Sequence, residues 1–203
     1  GEPLRQIIDP YRYRAHLTQP KLVMLATNDE YFPLDSANLY WDELEEPKRL
    51  LYLPNQPHGI DDVEPVVRGL RALHAAAGDG KPLPQLDWEY RWGDTVTLCI
   101  HSDEARLLRV WQAVSPGRDF RAAVWQPAAI SKRSSGRFEI AHPAGGYVAV
   151  FGEATFGRGR AAFMLSTNVA IIAAPPEPAY GTEPRGTPGI CEALGVDGPV
   201  AVR

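Results

Sequence analysis

The first 82 residues combine short apolar runs with segments of helical periodicity. The run LVMLA at 22–26 has no polar interruption, as expected for a strand that is buried on both faces of a parallel sheet. A second apolar strand is predicted over 50–53. Between them, Pro33 and Asp35 predict a helix that ends near residue 44, with Asp35 as its N-cap. This order predicts two parallel strands joined by a crossover helix.

A second helix is predicted after Asp62, which would serve as its N-cap. Apolar residues then recur at helical spacing, and Gly78 and Gly80 end the pattern. The recurring positions are Val63, Val66, Val67, Leu70, Leu73 and Ala77. Two parallel strands are too few for a stable sheet, because parallel sheets need several neighbouring strands and helices on both faces. We therefore expect residues 1–82 to pack on strands that lie outside this sequence.

The pattern changes after the stiff segment KPLP at 81–84. Short, partly alternating strands are then separated by Gly, Ser and Pro turns, and they are predicted over 95–101, 107–113, 121–126, 137–141, 147–155 and 162–172. This spacing predicts an immunoglobulin-like or fibronectin-III-like β-sandwich over residues 83–174. Residues 175–203 are rich in Pro and Gly without periodicity, which predicts an extended tail. The predicted fold class is thus α/β followed by all-β.

Composition narrows the range of partners. The net charge of −4 and a pI near 5.7 argue against nucleic acid or an anionic membrane as the main partner, since both favour basic surfaces. No apolar run approaches the roughly 20 residues that span a bilayer. We therefore expect neither a nucleic-acid partner nor a membrane span.

Cysteine content does not determine the redox compartment. Cys99 and Cys191 are too few to define a disulfide framework, and Cys99 lies in a strand-like apolar segment. A buried apolar role for Cys99 and a Cys99–Cys191 bridge in an exported protein both stay open.

Asp29 and His58 follow the two predicted strands directly. In an α/β-hydrolase, the acid and the histidine of the Ser–Asp–His triad occupy such loops, in the chain order nucleophile, acid, histidine. The histidine takes the proton of the nucleophile, and the acid holds the histidine in the correct tautomer. No serine or cysteine precedes Asp29. We therefore expect the sequence to be the C-terminal segment of an α/β-hydrolase domain, with its nucleophile on another polypeptide or in a lost first half.

Other interpretations of these polar residues are open. In one alternative the two residues have separate structural roles: Asp29 caps a turn, and His58 ends a loop. Asp35, Asp61 and Asp62 are rival acids, although capping of helices explains them better. The remaining histidines, which lack metal-ligand spacing, are His16, His74, His101 and His142. We predict no metal and no cofactor.

The GRGR motif at 157–160 has two interpretations. Its arginines would attract an anion, or its glycines would form a tight hairpin turn. The turn is favoured, because glycine supplies the backbone conformations that such turns need.

Several separated blocks resemble the PhoPQ-activated pathogenicity-related protein family. They include IDPYRY at 8–13, ATNDEYF at 26–32, YWDEL at 40–44, YLPNQPH at 52–58, GKPLP at 80–84, RVWQA at 109–113 and RDFR at 118–121. The likeness extends to about residue 173. Many relatives carry a valine before the position of Pro33. The loop after Asp29 is therefore one residue shorter here, and we expect a shifted position for the Asp29 carboxylate.

The resemblance implies an α/β-hydrolase fold with a C-terminal β domain. It places Asp29 and His58 at the positions of the presumed acid and base, and it places the presumed nucleophile in an upstream G-x-S-K-R-G elbow that this sequence does not contain. The implied function is part of a serine-type hydrolase for esters or amides, with a small-molecule or peptide substrate. A non-catalytic, hydrolase-like factor for virulence, signalling or binding is the alternative. The implied location is secreted or periplasmic, with the cytoplasm as the alternative.

Overall fold

The computed structural model describes Leu4 and residues 7–175, 183–184, 186–195 and 200–202. The α-helices discussed below are α1 (Glu64–Gly78) and α2 (Ile190–Ala193). Short 3-10 turns lie at Pro10–His16, Ser36–Leu39, Trp41–Glu43 and Gly159–Ala161. The strands are β1 (Lys21–Ala26), β2 (Lys48–Leu53), β3 (Asp87–Arg91), β4 (Thr95–His101), β5 (Leu107–Ser115), β6 (Gln126–Ser131), β7 (Ser135–Ala141), β8 (Tyr147–Phe156), β9 (Phe163–Ser166), β10 (Ala170–Ala173) and β11 (Val200–Ala201).

Strands β1 and β2 form a two-stranded parallel sheet, as the sequence predicts. Their register runs from Lys21 opposite Lys48 to Ala26 opposite Leu53. Helix α1 covers one face of this sheet. The helix approaches closely because Gly69 has no side chain: a Cβ atom there would lie 3.0 Å from Cδ2 of Leu22. The helix thus packs its smallest residue against the strand.

Two larger antiparallel sheets form the rest of the described chain. One has the strand order β10-β8-β5-β6, with β9 also paired to β8, and the other has the order β11-β7-β4-β3, in which the short β11 runs parallel to β7. The facing sides of these sheets share one hydrophobic core. Its fully buried members include Val96, Leu98, Ile100, Leu108, Val110, Phe138 and Val150. Apolar burial of this extent is the main stabilising contribution to a fold.

The outer face of the five-stranded sheet carries a second core, against β2. The ring of Tyr52 in β2 packs against that of Phe151 in β8, tilted and at 5.2 Å between centroids, and the Trp125 ring lies 5.2 Å from the same phenylalanine ring. The Tyr52 backbone N–H also donates to Oγ of Ser166 in β9 at 3.0 Å. Strand β8 is therefore covered on both faces, which explains why nearly all of its residues are buried.

The predicted fold class, α/β followed by all-β with the first part as the C-terminal segment of an α/β-hydrolase domain, is wrong. The described chain is mostly β structure in three sheets, with few helices. Strands β1 and β2 are parallel, but the second face of their sheet is covered by the five-stranded sheet and not by further helices. The division of the chain near residues 82 and 174 stays a prediction.

Four further elements differ from the predictions. The segment 35–44 forms two 3-10 turns and not an α-helix, and Asp35 makes no capping hydrogen bond with its side chain. Residues 121–125 form a loop, and the strand there begins at Gln126. The predicted strand 162–172 is divided into β9 and β10 by residues 167–169. Strand β3 is present where no strand was predicted.

The predicted tail over 175–203 lies partly outside the described residues. Its described part is not simply extended, because Ile190–Ala193 is a helical turn and Val200–Ala201 pairs with β7. Cys191 in this turn forms a disulfide with the buried Cys99 of β4. The Cys191 backbone N–H also donates to Glu89 Oε2 at 2.9 Å. This part of the chain is therefore tied to the four-stranded sheet.

Within the described residues, no helix combines the length and the apolar content that crossing a membrane requires.

Candidate functional site

The parallel sheet brings the loops after β1 and β2 together. Hydrogen bonding continues past the strands: Thr27 N–H donates to the Leu53 carbonyl at 3.1 Å, and Asn28 N–H donates to the Gln56 carbonyl at 3.0 Å. Carboxyl ends of parallel strands meet at one edge of a sheet, so the residues that follow become neighbours. Asp29 and His58 are such residues.

Asp29 and His58 form a direct side-chain hydrogen bond. Nδ1 of His58 lies 2.9 Å from Oδ2 of Asp29. The other carboxylate oxygen, Oδ1, accepts the backbone N–H groups of Tyr31 at 2.8 Å and Phe32 at 3.0 Å. Asp29 therefore caps the following turn with one oxygen and orients His58 with the other. Turn capping and the pairing with His58 thus use different oxygens of Asp29, and the short loop before Pro33 leaves the Asp29–His58 hydrogen bond in place.

The surroundings of Asp29 favour its ionised form. Burial alone would raise the pKa of this carboxyl, since its side chain is only 10% exposed. The hydrogen bond with His58, together with those from Phe32 and Tyr31, outweighs burial and lowers the pKa below its ordinary value. Asp29 is thus a carboxylate at neutral pH and can stabilise a positive charge on His58.

The imidazole of His58 lies at the surface between two aromatic rings. Its ring centroid is 4.8 Å from that of Tyr31, edge-on, and 5.7 Å from that of Phe32. Its backbone N–H donates to Glu30 Oε2 at 3.2 Å. The His58 side chain is 47% exposed, and no other described residue hydrogen-bonds its Nε2. The ring is therefore held through Nδ1, and its Nε2 has no hydrogen-bond partner among the described residues.

A cavity of about 450 Å³ adjoins the Asp29 loop. Its walls come from residues 27–35 and from the loop between β5 and β6, and they include Tyr31, Phe32, Arg118 and Arg121. The volume lies within the range of small-molecule pockets.

Two asparagines fix the site to the loop between β5 and β6, and neither was predicted. The Asn28 side chain donates to the carbonyls of Ala123 at 2.7 Å and Arg121 at 3.1 Å. Asn55 binds Trp125 twice: its Nδ2 donates to the Trp125 carbonyl at 2.9 Å, and its Oδ1 accepts the Trp125 N–H at 2.7 Å. These residues come immediately before Asp29 and shortly before His58. Their position inside the blocks ATNDEYF and YLPNQPH was the available sequence signal.

Asn55→Ala is expected to lower the free energy of unfolding by about 2–3 kcal/mol. The substitution removes both hydrogen bonds to Trp125, each worth about 1 kcal/mol, and it places alanine at φ +58°, a left-handed conformation that costs about another 1 kcal/mol. Asn55→Gly is the matched control, because it loses the same bonds but accepts this φ. Urea unfolding should rank the stabilities as wild type, then Asn55→Gly, then Asn55→Ala. Equal stabilities for the two variants would contradict the backbone part of this account.

The rival residues have other partners. Asp35 pairs with Arg118, at 2.6 Å between Oδ2 and Nη2, and Asp62 Oδ1 accepts the Glu64 N–H at 3.0 Å at the start of α1. His142 binds the Gly93 carbonyl, and His101 lies 3.3 Å from Asp103. Among the described residues, Asp29 is thus the only carboxylate that binds the His58 ring.

Neither a nucleophile nor a metal centre is evident in the described part of the chain. No serine, threonine or cysteine side chain there hydrogen-bonds His58 Nε2. The same residues include no group of three or more His, Cys, Asp or Glu side chains arranged to hold a metal ion. What the site presents is a carboxylate hydrogen-bonded to an exposed imidazole.

The sequence of this chain is similar to that of a curated protein. It is 27% identical over 184 residues to the autocrine proliferation repressor protein A of Dictyostelium discoideum, an alignment that covers 75% of this chain and 36% of the relative. The chain thus spans about a third of the length of that curated relative. No solved structure matches it.

The site lies inside the region that a family model recognises. The model of the PhoPQ-activated pathogenicity-related protein matches residues 1–121, which is more than half of the chain and contains Asp29, His58 and both asparagines. This chain belongs to the PhoPQ-activated pathogenicity-related protein family.

Proposed function

We propose that Asp29 and His58 are the acid and the general base of a serine-type hydrolase that cleaves esters or amides. The observation that carries this proposal is the hydrogen bond between His58 Nδ1 and Asp29 Oδ2, which leaves Nε2 open. An oriented imidazole of this kind is what activation of a weak hydroxyl nucleophile requires.

The chemistry follows from the orientation of the two side chains. With Nδ1 donating to Asp29, the neutral imidazole presents a lone pair at Nε2. That lone pair takes the proton of the attacking hydroxyl, and the resulting imidazolium is stabilised by the carboxylate. His58 then returns the proton to the leaving alcohol or amine. The backbone N–H groups of Tyr31 and Phe32 hold the carboxylate in place during both transfers.

The nucleophile is proposed to come from polypeptide outside these 203 residues, either a separate chain or a preceding segment. The edge of β1 supports this, because among the described residues β1 pairs only with β2. The side chains of β1 are only partly buried up to Leu25. A strand added there would place the residues after it beside His58, since parallel strands share one carboxyl edge. The greater length of the Dictyostelium relative is consistent with such a segment.

The proposed substrate is a small molecule or a peptide. The aromatic rings of Tyr31 and Phe32 are both largely exposed and flank His58, and the adjoining cavity also contains two arginines. These walls would contact an acyl group or a side chain next to the scissile bond. The choice between an ester and an amide is left to the assay below.

The proposed location is outside the cytoplasm, in a secreted or periplasmic compartment. The Cys99–Cys191 disulfide supports it, because disulfides persist in oxidising compartments and are rare in the cytosol.

A non-catalytic role in signalling or binding is the second candidate. It is favoured by the similarity to a protein named as an autocrine proliferation repressor, although 27% identity does not transfer a role. In that case Asp29 and His58 would be kept for structure alone.

Labelling with a fluorophosphonate separates these functions, because the probe reacts only with an activated serine. The native protein, with every polypeptide that copurifies with this chain, would be labelled and the modified peptide sequenced by mass spectrometry. Labelling of one serine that is lost in Asp29→Asn and His58→Ala supports the hydrolase. Absence of labelling from a folded preparation, or labelling that both variants keep, would favour the non-catalytic role.

The Asp29 contribution to stability is expected to depend on pH. Since the folded-state pKa of Asp29 is lowered, its stabilisation is fully present above the unfolded-state pKa of about 3.9 and is lost as the pH falls through the folded value. The difference in unfolding free energy between wild type and Asp29→Asn should therefore shrink as the pH falls below about 4, where Asp29 takes up a proton. Urea unfolding of both proteins across this range measures it. A difference that grows as the pH falls below about 4 would have the wrong sign.

A further inference from the structure

A second cavity, of about 780 Å³, lies apart from Asp29 and His58. It is formed by the outer side of α1, the loop between β4 and β5, and the turn between β8 and β9. None of its residues lines the cavity beside Asp29. We call it the arginine cavity, because its charged wall is Arg68, Arg71, Arg106 and Arg160.

One of these arginines has a structural role. Arg68 pairs with Glu64 within α1, and its Nη1 donates to the carbonyls of Gly159 at 3.0 Å and Ala162 at 3.2 Å. It thereby joins α1 to the turn between β8 and β9. Its charge and donors are largely engaged.

The other three arginines of the cavity differ from Arg68 in their contacts. Among the described residues, the side chains of Arg71, Arg106 and Arg160 make no hydrogen bond and no ion pair, although all three line the same cavity. The cavity also contains Asp103 and Glu104. Because Arg68 is paired with Glu64, the remaining charges of the lining are three arginines against two carboxylates. Asp103 is 94% exposed and lies beside His101, at the rim. A net positive wall on a chain of net charge −4 indicates an anionic ligand.

The remaining wall of the cavity is apolar. Ala72, Ala75, Ala76 and Pro84 are its partly or largely exposed apolar residues, and the lining also includes Phe156 and Phe163, which stack at 5.3 Å between ring centroids. Leu83, Phe156 and Phe163 are buried and belong to the main core, so this wall is rigid. Guanidinium groups beside a fixed apolar wall suit a ligand that has both an anionic group and a hydrocarbon part.

The GRGR motif at 157–160 contributes residues to the lining of this cavity. Residues 157–162 form the turn between β8 and β9, so the prediction of a hairpin turn is confirmed. Gly157 has φ +66°, and a Cβ atom there would collide with the Ala161 carbonyl, so the turn requires glycine. The same turn places Arg160 in the cavity wall. The turn and the anion interpretations are therefore compatible.

We propose that the arginine cavity binds a small amphipathic anion. Its carboxylate or phosphate group would lie on Arg71, Arg106 and Arg160, and its apolar part would lie against Ala72, Ala75, Ala76 and Pro84. This site is independent of the hydrolase chemistry proposed for Asp29 and His58.

The test is isothermal titration calorimetry on the 203-residue chain with octanoate and octyl phosphate. Both probes should bind saturably with one site per chain. Inorganic phosphate, which lacks the apolar part, and 1-octanol, which lacks the charge, should each bind at least about tenfold more weakly. Equal binding of 1-octanol, or no binding of either anionic probe, would overturn the proposal.

The double variant Arg71→Gln/Arg160→Gln tests whether the probes bind in this cavity. It keeps the length of both exposed side chains but removes their charge, and circular dichroism would verify its fold. We expect octanoate affinity to fall by at least about tenfold, because charge-assisted hydrogen bonds are the stronger class. Lys132→Gln is the matched control, as Lys132 is an exposed cation outside the cavity and should leave affinity unchanged. Wild-type affinity in the double variant, or an equal loss in Lys132→Gln, would place binding elsewhere.

Discussion

His58→Ala is expected to reduce ester hydrolysis by about 10³- to 10⁶-fold in the assembly that contains this chain and the nucleophile. Without the imidazole, nothing accepts the proton of the attacking hydroxyl, and loss of a triad member generally leaves only the catalysis due to binding and oxyanion stabilisation. The effect should appear in kcat and not in KM, because His58 acts in the proton-transfer steps. Single-substrate kinetics with a chromogenic ester would measure it.

Two further variants test whether the loss of activity is specific to the Asp29–His58 pair. Asp29→Asn keeps the shape of the side chain but no longer holds His58 in the tautomer that leaves Nε2 unprotonated, so it should also lower kcat by several orders of magnitude. His74→Ala changes an exposed histidine on α1 and should have no effect. Full turnover in His58→Ala would contradict the proposed hydrolase.

Replacement of Cys99 and Cys191 by serine is expected to lower the free energy of unfolding by about 2–5 kcal/mol. The bridge joins residues 92 apart in the sequence, and a cross-link over so long a loop restricts the unfolded chain strongly. For a chain of this size, the loss corresponds to a decrease in Tm of about 5–15 °C. Differential scanning calorimetry would measure the decrease.

The reducing agent dithiothreitol provides the control for this experiment. It should lower the Tm of the wild type toward that of the double serine variant and leave the variant unchanged. Both cysteines are buried, so reduction of the folded protein requires prolonged incubation or warming. Identical Tm values for wild type and variant would contradict a stabilising role for the bridge.

The Asp29–His58 pair could be predicted from the sequence because it depends on local order. Two uninterrupted apolar runs, each followed by a polar loop, define parallel strands whose carboxyl ends meet. The register that aligns Ala26 with Leu53 then brings the two loops together. No information from distant parts of the chain was needed.

The fold class could not be predicted in the same way, because it depends on what covers each strand. Strand β2 is buried on the five-stranded sheet through Tyr52, Phe151 and Trp125, residues that are far apart in the sequence. An uninterrupted apolar strand is equally consistent with helices on both faces or with a second sheet on one of them. The sequence pattern does not distinguish these arrangements.

Two further errors are explained by contacts between distant parts of the chain. Residues 120–125 have strand-like composition, but their carbonyls accept hydrogen bonds from Asn28 and Asn55 and do not pair with a strand. The turn that contains Cys191 has little helical periodicity of its own and is held by the disulfide and by Glu89. Both are cases in which tertiary contacts decide the local structure.

The central claim is that Asp29 holds His58 with Nδ1 protonated and Nε2 free. Nitrogen-15 NMR of the imidazole in the 203-residue chain tests it directly and needs no other polypeptide. At a pH where His58 is neutral, we predict a proton on Nδ1 and none on Nε2, with a loss of this preference in Asp29→Asn. A neutral His58 that is protonated at Nε2, or one whose tautomer does not change in Asp29→Asn, would contradict the account.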